Sequence, residues 1–268
     1  WLQMSKLIGT IREAIEKAGL KDGMTISFHH HMRNGDYVLN MVLAEAAAMG
    51  IRDLTVNASS IFDIHEPIIE HIKNGVVTQI ECNYMGGKVG KAISQGIMEK
   101  PVIFRTHGGR AGDMENGSSK IDIAFLAAPC ADDMGNLSGK YGPSACGSLG
   151  YAFSDAMYAK KVVAVTDHLV PYPLRDASIE EGYVDYVVQT EQIGDPARIV
   201  SGTTKITRDP VGLRIAGLAA QVVKHSGYLK DGFSFQTGAG GASLAVAKYV
   251  EEMMEKDHIK GSFCMGGI

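Results

Sequence analysis

The stretch MTISFHHHMRNGDYVLNMVLAEAAAMGIRDLTV, residues 24–56, decides the fold. Residues 24–28 read as a buried strand. Residues 37–49 are alanine-rich, with Gly50 just beyond, and read as the helix that returns over that strand. Residues 53–56 then begin a second strand, so the stretch is one strand-helix unit and the start of the next. The rhythm continues outward with a helix at about 66–73, a strand at 76–81, a helix at 88–98 and a strand at 102–104. On the N-terminal side, Leu7, Ile11, Ile15 and Ala18 recur at helical spacing until Gly19 and Gly23 break the pattern. Further strands are expected at 121–127, 162–166 and 183–189, and a long helix at 210–225. Parallel neighbours need crossovers that helices supply. The fold class is therefore α/β, an open, mainly parallel sheet with helices on both faces and ligands collected at the strand C-termini.

Residues 129–150 interrupt the alternation with glycines, serines, prolines and aspartates, and read as a long functional or mobile loop. After 226–232 a new unit starts, with a strand at 233–236, a glycine turn and a helix at 243–255. This places a first lobe over 1–227 and the start of a second over 228–268. Leu20-Lys21-Asp22-Gly23-Met24 is echoed by Leu229-Lys230-Asp231-Gly232-Phe233, which points to a duplicated fold.

At 45% hydrophobic and 21% charged residues the composition is that of a globular protein and excludes a disordered or fibrous chain. A net charge of -4 and pI near 6.1 give no broad cationic surface, so neither nucleic acid nor anionic membrane is the expected partner. Cys82, Cys130, Cys146 and Cys264 form no CxxC pair and read as free thiols of a reducing cytoplasm. No leader-like segment and no apolar run of ~20 residues is present. The chain begins at Trp1 and stops just after a strand-like segment, and reads as a fragment of a longer protein.

Four constellations carry chemistry. Thr237-Gly238-Ala239-Gly240-Gly241-Ala242-Ser243 lies between a strand and a helix, where amides converge on a phosphate or an oxyanion; a tight turn without ligand fits it equally. It lacks the last glycine of GxGxxG and the lysine of a phosphate-binding P-loop. His29-His30-His31-Met32-Arg33 closes the first strand. His29 and His31 share a face there, His30 points away, and no third metal ligand is apparent. Arg33 suits a carboxylate, although a solvated loop remains the bland alternative. His107-Gly108-Gly109-Arg110 repeats the histidine, glycine and arginine combination at another strand end, and Asn57-Ala58-Ser59-Ser60 adds small donors at the same edge. No GxSxG or protease-like cysteine supports a hydrolase.

Residues 22–30, 236–245, His107-Gly108-Gly109-Arg110 and Gly147-Ser148-Leu149-Gly150-Tyr151-Ala152 together resemble the citrate lyase alpha subunit, a member of the coenzyme A transferase superfamily. The resemblance runs over essentially the whole chain. It implies a longer protein of two related lobes with the active site between them. It also implies exchange of acetyl for citryl on an acyl-carrier-protein or coenzyme A thioester, with that thioester as cosubstrate and no permanently bound cofactor or metal. The implied partners are citrate, the acyl carrier protein (gamma subunit) and the citryl lyase beta subunit, in a homo-oligomeric cytoplasmic complex. From charge and position, amides around Gly238, Gly240 and Gly241 are the candidates for the thioester oxyanion or the pantetheine end, with Thr237, Ala242 and Ser243 as cosubstrate-binding residues beside them. His29, His30, Arg33, Ser59, His107, Gly108, Gly109 and Arg110 are the candidates for citrate. Related transferases carry a glutamate on the strand after the glycine loop. Here residues 259–267 contain no carboxylate, and Ser262 is expected near that position. The alternatives are an acetyl-CoA hydrolase or 4-hydroxybutyrate transferase, a non-catalytic thioester-binding subunit, an inactive fragment, and a dinucleotide oxidoreductase, which the incomplete glycine fingerprint disfavours.

Overall fold

A computed structural model describes residues 5–199, 205–238 and 240–266. They form two compact units, residues 1–200 and 201–268. In the first unit the chain runs β1 (Leu7–Ile8), α1 (Ile11–Ala18), β2 (Thr25–Phe28), α2 (Val38–Ala48), β3 (Leu54–Ile61), α3 (Ile68–Lys73), β4 (Val77–Met85), α4 (Gly87–Ser94) and β5 (Ile103–Phe104). It continues through α5 (His107–Glu115), β6 (Ile123–Ala128), β7 (Cys130–Asp132), β8 (Leu137–Ser138), α6 (Ala152–Tyr158), β9 (Lys161–Thr166), β10 (Leu169–Val170), β11 (Tyr186–Gln189) and α7 (Pro196–Ile199). The second unit comprises α8 (Pro210–His225), β12 (Ser234–Thr237), α9 (Gly241–Lys256) and β13 (Phe263–Gly266).

Eight parallel strands form the main sheet in the order β1-β11-β9-β6-β2-β3-β4-β5. Its two faces feed separate cores. Phe125 and Ala127 of β6 join the cluster that contains Ile11, Val42 and Leu43, whereas Ala124, Leu126 and Ala128 join Met114, Ala152 and Ala156 on the other side. Alternate residues of one strand are thus buried under different helices, as the two-sided cover requires.

Helix α1 shows how local chemistry sets the boundaries. The Thr10 hydroxyl accepts from the Glu13 amide, and Gly19 ends the helix with a left-handed φ of 75°. Leu7, expected on this helix, lies before that cap and instead pairs with Val187 in the edge strand β1. Helices α5 and α6 were not expected at all. Residues 129–150 are also not a free loop: β7 pairs with β8 and β10, and fully buried Asp132 accepts from the amides of Met134, Asn136 and Leu174. Its carboxylate organises the segment by supplying acceptors that water would otherwise supply.

The unit boundary falls earlier than the expected 227/228, because α8 packs on α9 and belongs to the second unit. The Tyr249 ring lies 3.9 Å from where a Cβ on Gly217 would stand, and Ala216 and Ala220 are buried. The echoed sequence has a structural counterpart. Asp22 accepts from the Arg52 amide at 2.8 Å and Asp231 from the Lys260 amide at 2.8 Å, while Gly23 and Gly232 each adopt φ of 80°. Each aspartate clasps the entry of its strand to the entry of the next parallel one, β2 to β3 and β12 to β13.

Candidate functional site

From β2 the chain winds outward through β3, β4 and β5, then returns to the other side of β2 with β6, β9 and β11. The winding reverses at β2, and the crevice beyond its C-terminal end is where an open α/β sheet receives ligands. The loop after β2 begins with the three histidines, and they separate as strand alternation requires. His29 and His31 stack with ring centroids 4.3 Å apart, and His31 Nε2 donates to the Ala127 carbonyl at 2.7 Å. His30 turns the other way and places Nδ1 2.6 Å from Ser59 Oγ.

Around His30 the sheet edge brings together residues far apart in sequence. Its ring is 5.6 Å from that of His107, 6.2 Å from Tyr151 and 6.5 Å from Phe62, and the Tyr84 ring lies tilted beyond Phe62 at 5.8 Å. His107 is the first residue of α5. Thr106 caps that helix by accepting from the Gly109 amide, which leaves the amides of His107 and Gly108 without a partner among the described residues. A Cβ on Gly109 would lie 2.6 Å from Thr106 Oγ1, whereas one on Gly108 would meet nothing. Gly109 therefore serves the cap. Arg33 opens the short turn Arg33–Gly35 with a left-handed φ of 53° and is half-buried.

Burial first, then the neighbours His107, His31, Arg33 and Arg110, push the His30 imidazole pKa down to about 4. Burial likewise pushes His31 down to about 4, against the Ala127 hydrogen bond and Asp155, and drives His29 well below the usual histidine range. These three rings are neutral at neutral pH. They offer single N–H donors, not charges.

Two expectations are corrected here. Arg110, expected to meet a substrate carboxylate, is 1% exposed and bidentate to buried Asp155 at 2.7 and 2.9 Å, with Nε donating to Asn57 at 2.6 Å. Because residues 107–115 form a helix and not a loop, Arg110 is carried onto the sheet face. Ser59 is fully buried in β3 and engaged by His30, so it cannot itself touch a ligand. Phe62, Tyr84 and Tyr151 are members of the cluster that the sequence reading did not assign. Tyr151 stood inside a quoted motif, and an aromatic at the entry of a helix beside a strand end was the only signal available.

The glycine loop belongs to the second unit. Gly240 precedes α9 with extended backbone and Gly241 opens the helix, two residues ahead of the expected start at Ser243. A Cβ on Gly241 would lie 2.7 Å from the Lys205 carbonyl, and one on Gly238 3.3 Å from Ser243 Oγ. Close approach, not left-handed φ, demands the glycine at 241. Thr237 is buried and donates to the Gly238 carbonyl; Ala242 continues the first turn; Ala239 lies outside the described residues. Ser262 is bonded to Ser234 and Gly232 ahead of β13, so it is at the far end of the strand from the loop. In the parallel register Thr237 lies beside Gly266, a position with no side chain. No helix among the described residues is long and apolar enough to cross a membrane.

The eight-stranded parallel sheet, helix-covered on both faces and with its candidate site at the reversal of strand order, is a CoA-transferase-like α/β fold. An acyl-CoA transferase from Escherichia coli O157:H7 shares it with a TM-score of 0.62 at 13% identity, over 97% of this chain and 61% of its own. The chain belongs to the citrate lyase alpha subunit family (CitF), whose model matches residues 4–268. It is 51% identical over 263 residues to the citrate lyase alpha chain of Klebsiella pneumoniae, covering 98% of this chain and 52% of that one. A Streptococcus mutans structure described as an alpha subunit of citrate lyase in complex with citrate is 56% identical, with a TM-score of 0.94 over 100% of this chain and 52% of that one. The chain spans about half the length of the curated relatives it matches.

Proposed function

We propose that this chain is the first lobe, with the start of the second, of a citrate CoA-transferase that exchanges acetyl for citryl on an acyl-carrier-protein or coenzyme A thioester. The observation that carries the reading is the cluster of imidazole rings and open helix amides, His30, His107 and the start of α5, at the reversal of the sheet in a citrate lyase alpha family chain. Donors without charge suit an anionic hydroxy acid that must bind and then react. A citrate carboxylate oxygen attacks the acetyl thioester carbonyl, the C–S bond breaks and the thiolate leaves, giving a citric-acetic mixed anhydride. The same thiolate then attacks the citryl carbonyl and expels acetate. Amides of the glycine loop hold the developing oxyanion, and the protein contributes proximity and electrostatics in place of a nucleophile. Gly266 beside Thr237 supports this, since related transferases carry their glutamate on that strand.

Citrate, the carrier protein and a citryl lyase subunit are the partners on this reading, within a homo-oligomeric complex. Its place is a reducing cytoplasm, supported by the unpaired thiols of Cys82, Cys130 and Cys146. The test is an exchange assay on the full-length protein with acetyl-CoA and a panel of hydroxy di- and tricarboxylates. Transfer to citrate with no hydroxylamine-trappable protein acyl group is expected. A protein-bound glutamyl thioester would overturn the direct attack, and transfer to other acids but not citrate would overturn the substrate.

A further inference from the structure

The contact between Ser59 and His30 fixes more than a position. A hydroxyl always has one hydrogen to donate, and Ser59 is fully buried, with His30 Nδ1 at 2.6 Å as the only acceptor within reach of its Oγ among the described residues. The reverse arrangement, Nδ1–H donating to Oγ, would strand the serine hydrogen away from water. Nδ1 is therefore the acceptor, and the single proton of the neutral ring is on Nε2. Nothing around the ring favours a second proton. The groups that act on it are His107 and Arg110 of α5, and His31 and Arg33 of its own loop, and none is a carboxylate. Tyr151 and Phe62 complete the surround. Nε2 has no hydrogen-bond partner among the described residues and is not enclosed.

We infer that Ser59 is a positioning residue that locks His30 as its Nε2–H tautomer, so that the ring presents a neutral donor, never a base, to a carboxylate oxygen of the substrate. The substrate part rests on the function proposed above; the tautomer does not. Two consequences follow. His30 cannot accept a proton through Nε2 during the exchange, so the anhydride chemistry runs without it as general base. A neutral donor also keeps its grip as pH rises, where an imidazolium would lose its charge above about pH 6.5.

Nitrogen NMR of the unliganded, histidine-labelled full-length protein tests the tautomer directly, with the His30 signals assigned by their loss in H30Q. Nδ1 should resonate as an unprotonated, pyridine-like nitrogen and Nε2 as a protonated one; the opposite pattern overturns the inference. S59A should mix the tautomers and weaken citrate binding by about 3- to 10-fold, S59T should restore both, and S59A should have no further effect in the H30Q background. If S59A shifts the tautomer yet leaves the citrate Kd unchanged, the positioning role is overturned. If the wild-type protein shows the stated tautomer and binds no citrate, the tautomer stands and the substrate reading falls.

Discussion

With 1% of its side chain exposed, the Arg110 guanidinium has given up its water, and Asp155, Asn57 and two backbone carbonyls replace it. Breaking such a pair strands a buried charge, which costs more than the pair itself contributes. R110M should lower the unfolding free energy by about 3–5 kcal/mol, read from denaturant melts with the slope unchanged, and R110M combined with D155L should recover part of the loss. A selective fall in citrate affinity with stability intact would instead return Arg110 to the ligand. At this scale, what could be read from the chain depended on whether a residue's direction follows from strand alternation. It does for His29, His30 and His31. It does not for Arg110 or Ser59, whose burial depends on α5 and on the full length of β3.

Helix α5 contains Gly108, Gly109 and Gly112 in nine residues, a composition that disfavours helix by about 1 kcal/mol for each glycine. Packing of Arg110 and Met114 on the sheet overrides it, which is why the element was hidden; only the Thr106 cap announced it. A Cβ on Gly112 meets nothing within 4 Å, so G112A should stabilise the protein by up to ~1 kcal/mol in thermal or denaturant melts. G241A has the same helix-propensity advantage but forces Cβ to 2.7 Å from the Lys205 carbonyl and 3.0 Å from the Thr207 amide. Backbone cannot yield as a flexible side chain would, so destabilisation by ~1–3 kcal/mol is expected, with a loss of exchange activity. Unchanged stability in G241A would show that the segment at 205–207 moves aside freely.

For the whole molecule, pH sets two opposed trends. Burial lowers the His30, His31 and His65 pKa values to about 4, and lowers His29 in the same direction. Between about pH 6.5 and 4 the unfolded chain therefore binds more protons at these sites, and stability falls as pH falls. Asp36 acts in reverse. Burial raises it to about 7, so across about pH 4 to 7 the folded state holds the extra proton and stability falls as pH rises. Four rings outweigh one carboxyl, so melts at a series of pH values should show net loss below pH 6.5. D36N should leave stability at pH 4 near that of the parent and raise it at pH 8; an equal effect at both would sink this account. The sheet class and the repeat were legible because periodicity survives in a single chain. The unit boundary was not, since small residues such as Ala216 and Gly217 on α8 do not declare which neighbour they pack against. The repeat has a kinetic meaning as well. The Asp22 and Asp231 clasps join residues 30 and 29 apart in sequence, so closing either loop forfeits nearly the same chain entropy. Each latch gives its module a short, local route to a parallel strand pair, a pairing that otherwise forms slowly, and neither module has to wait for the other before it closes.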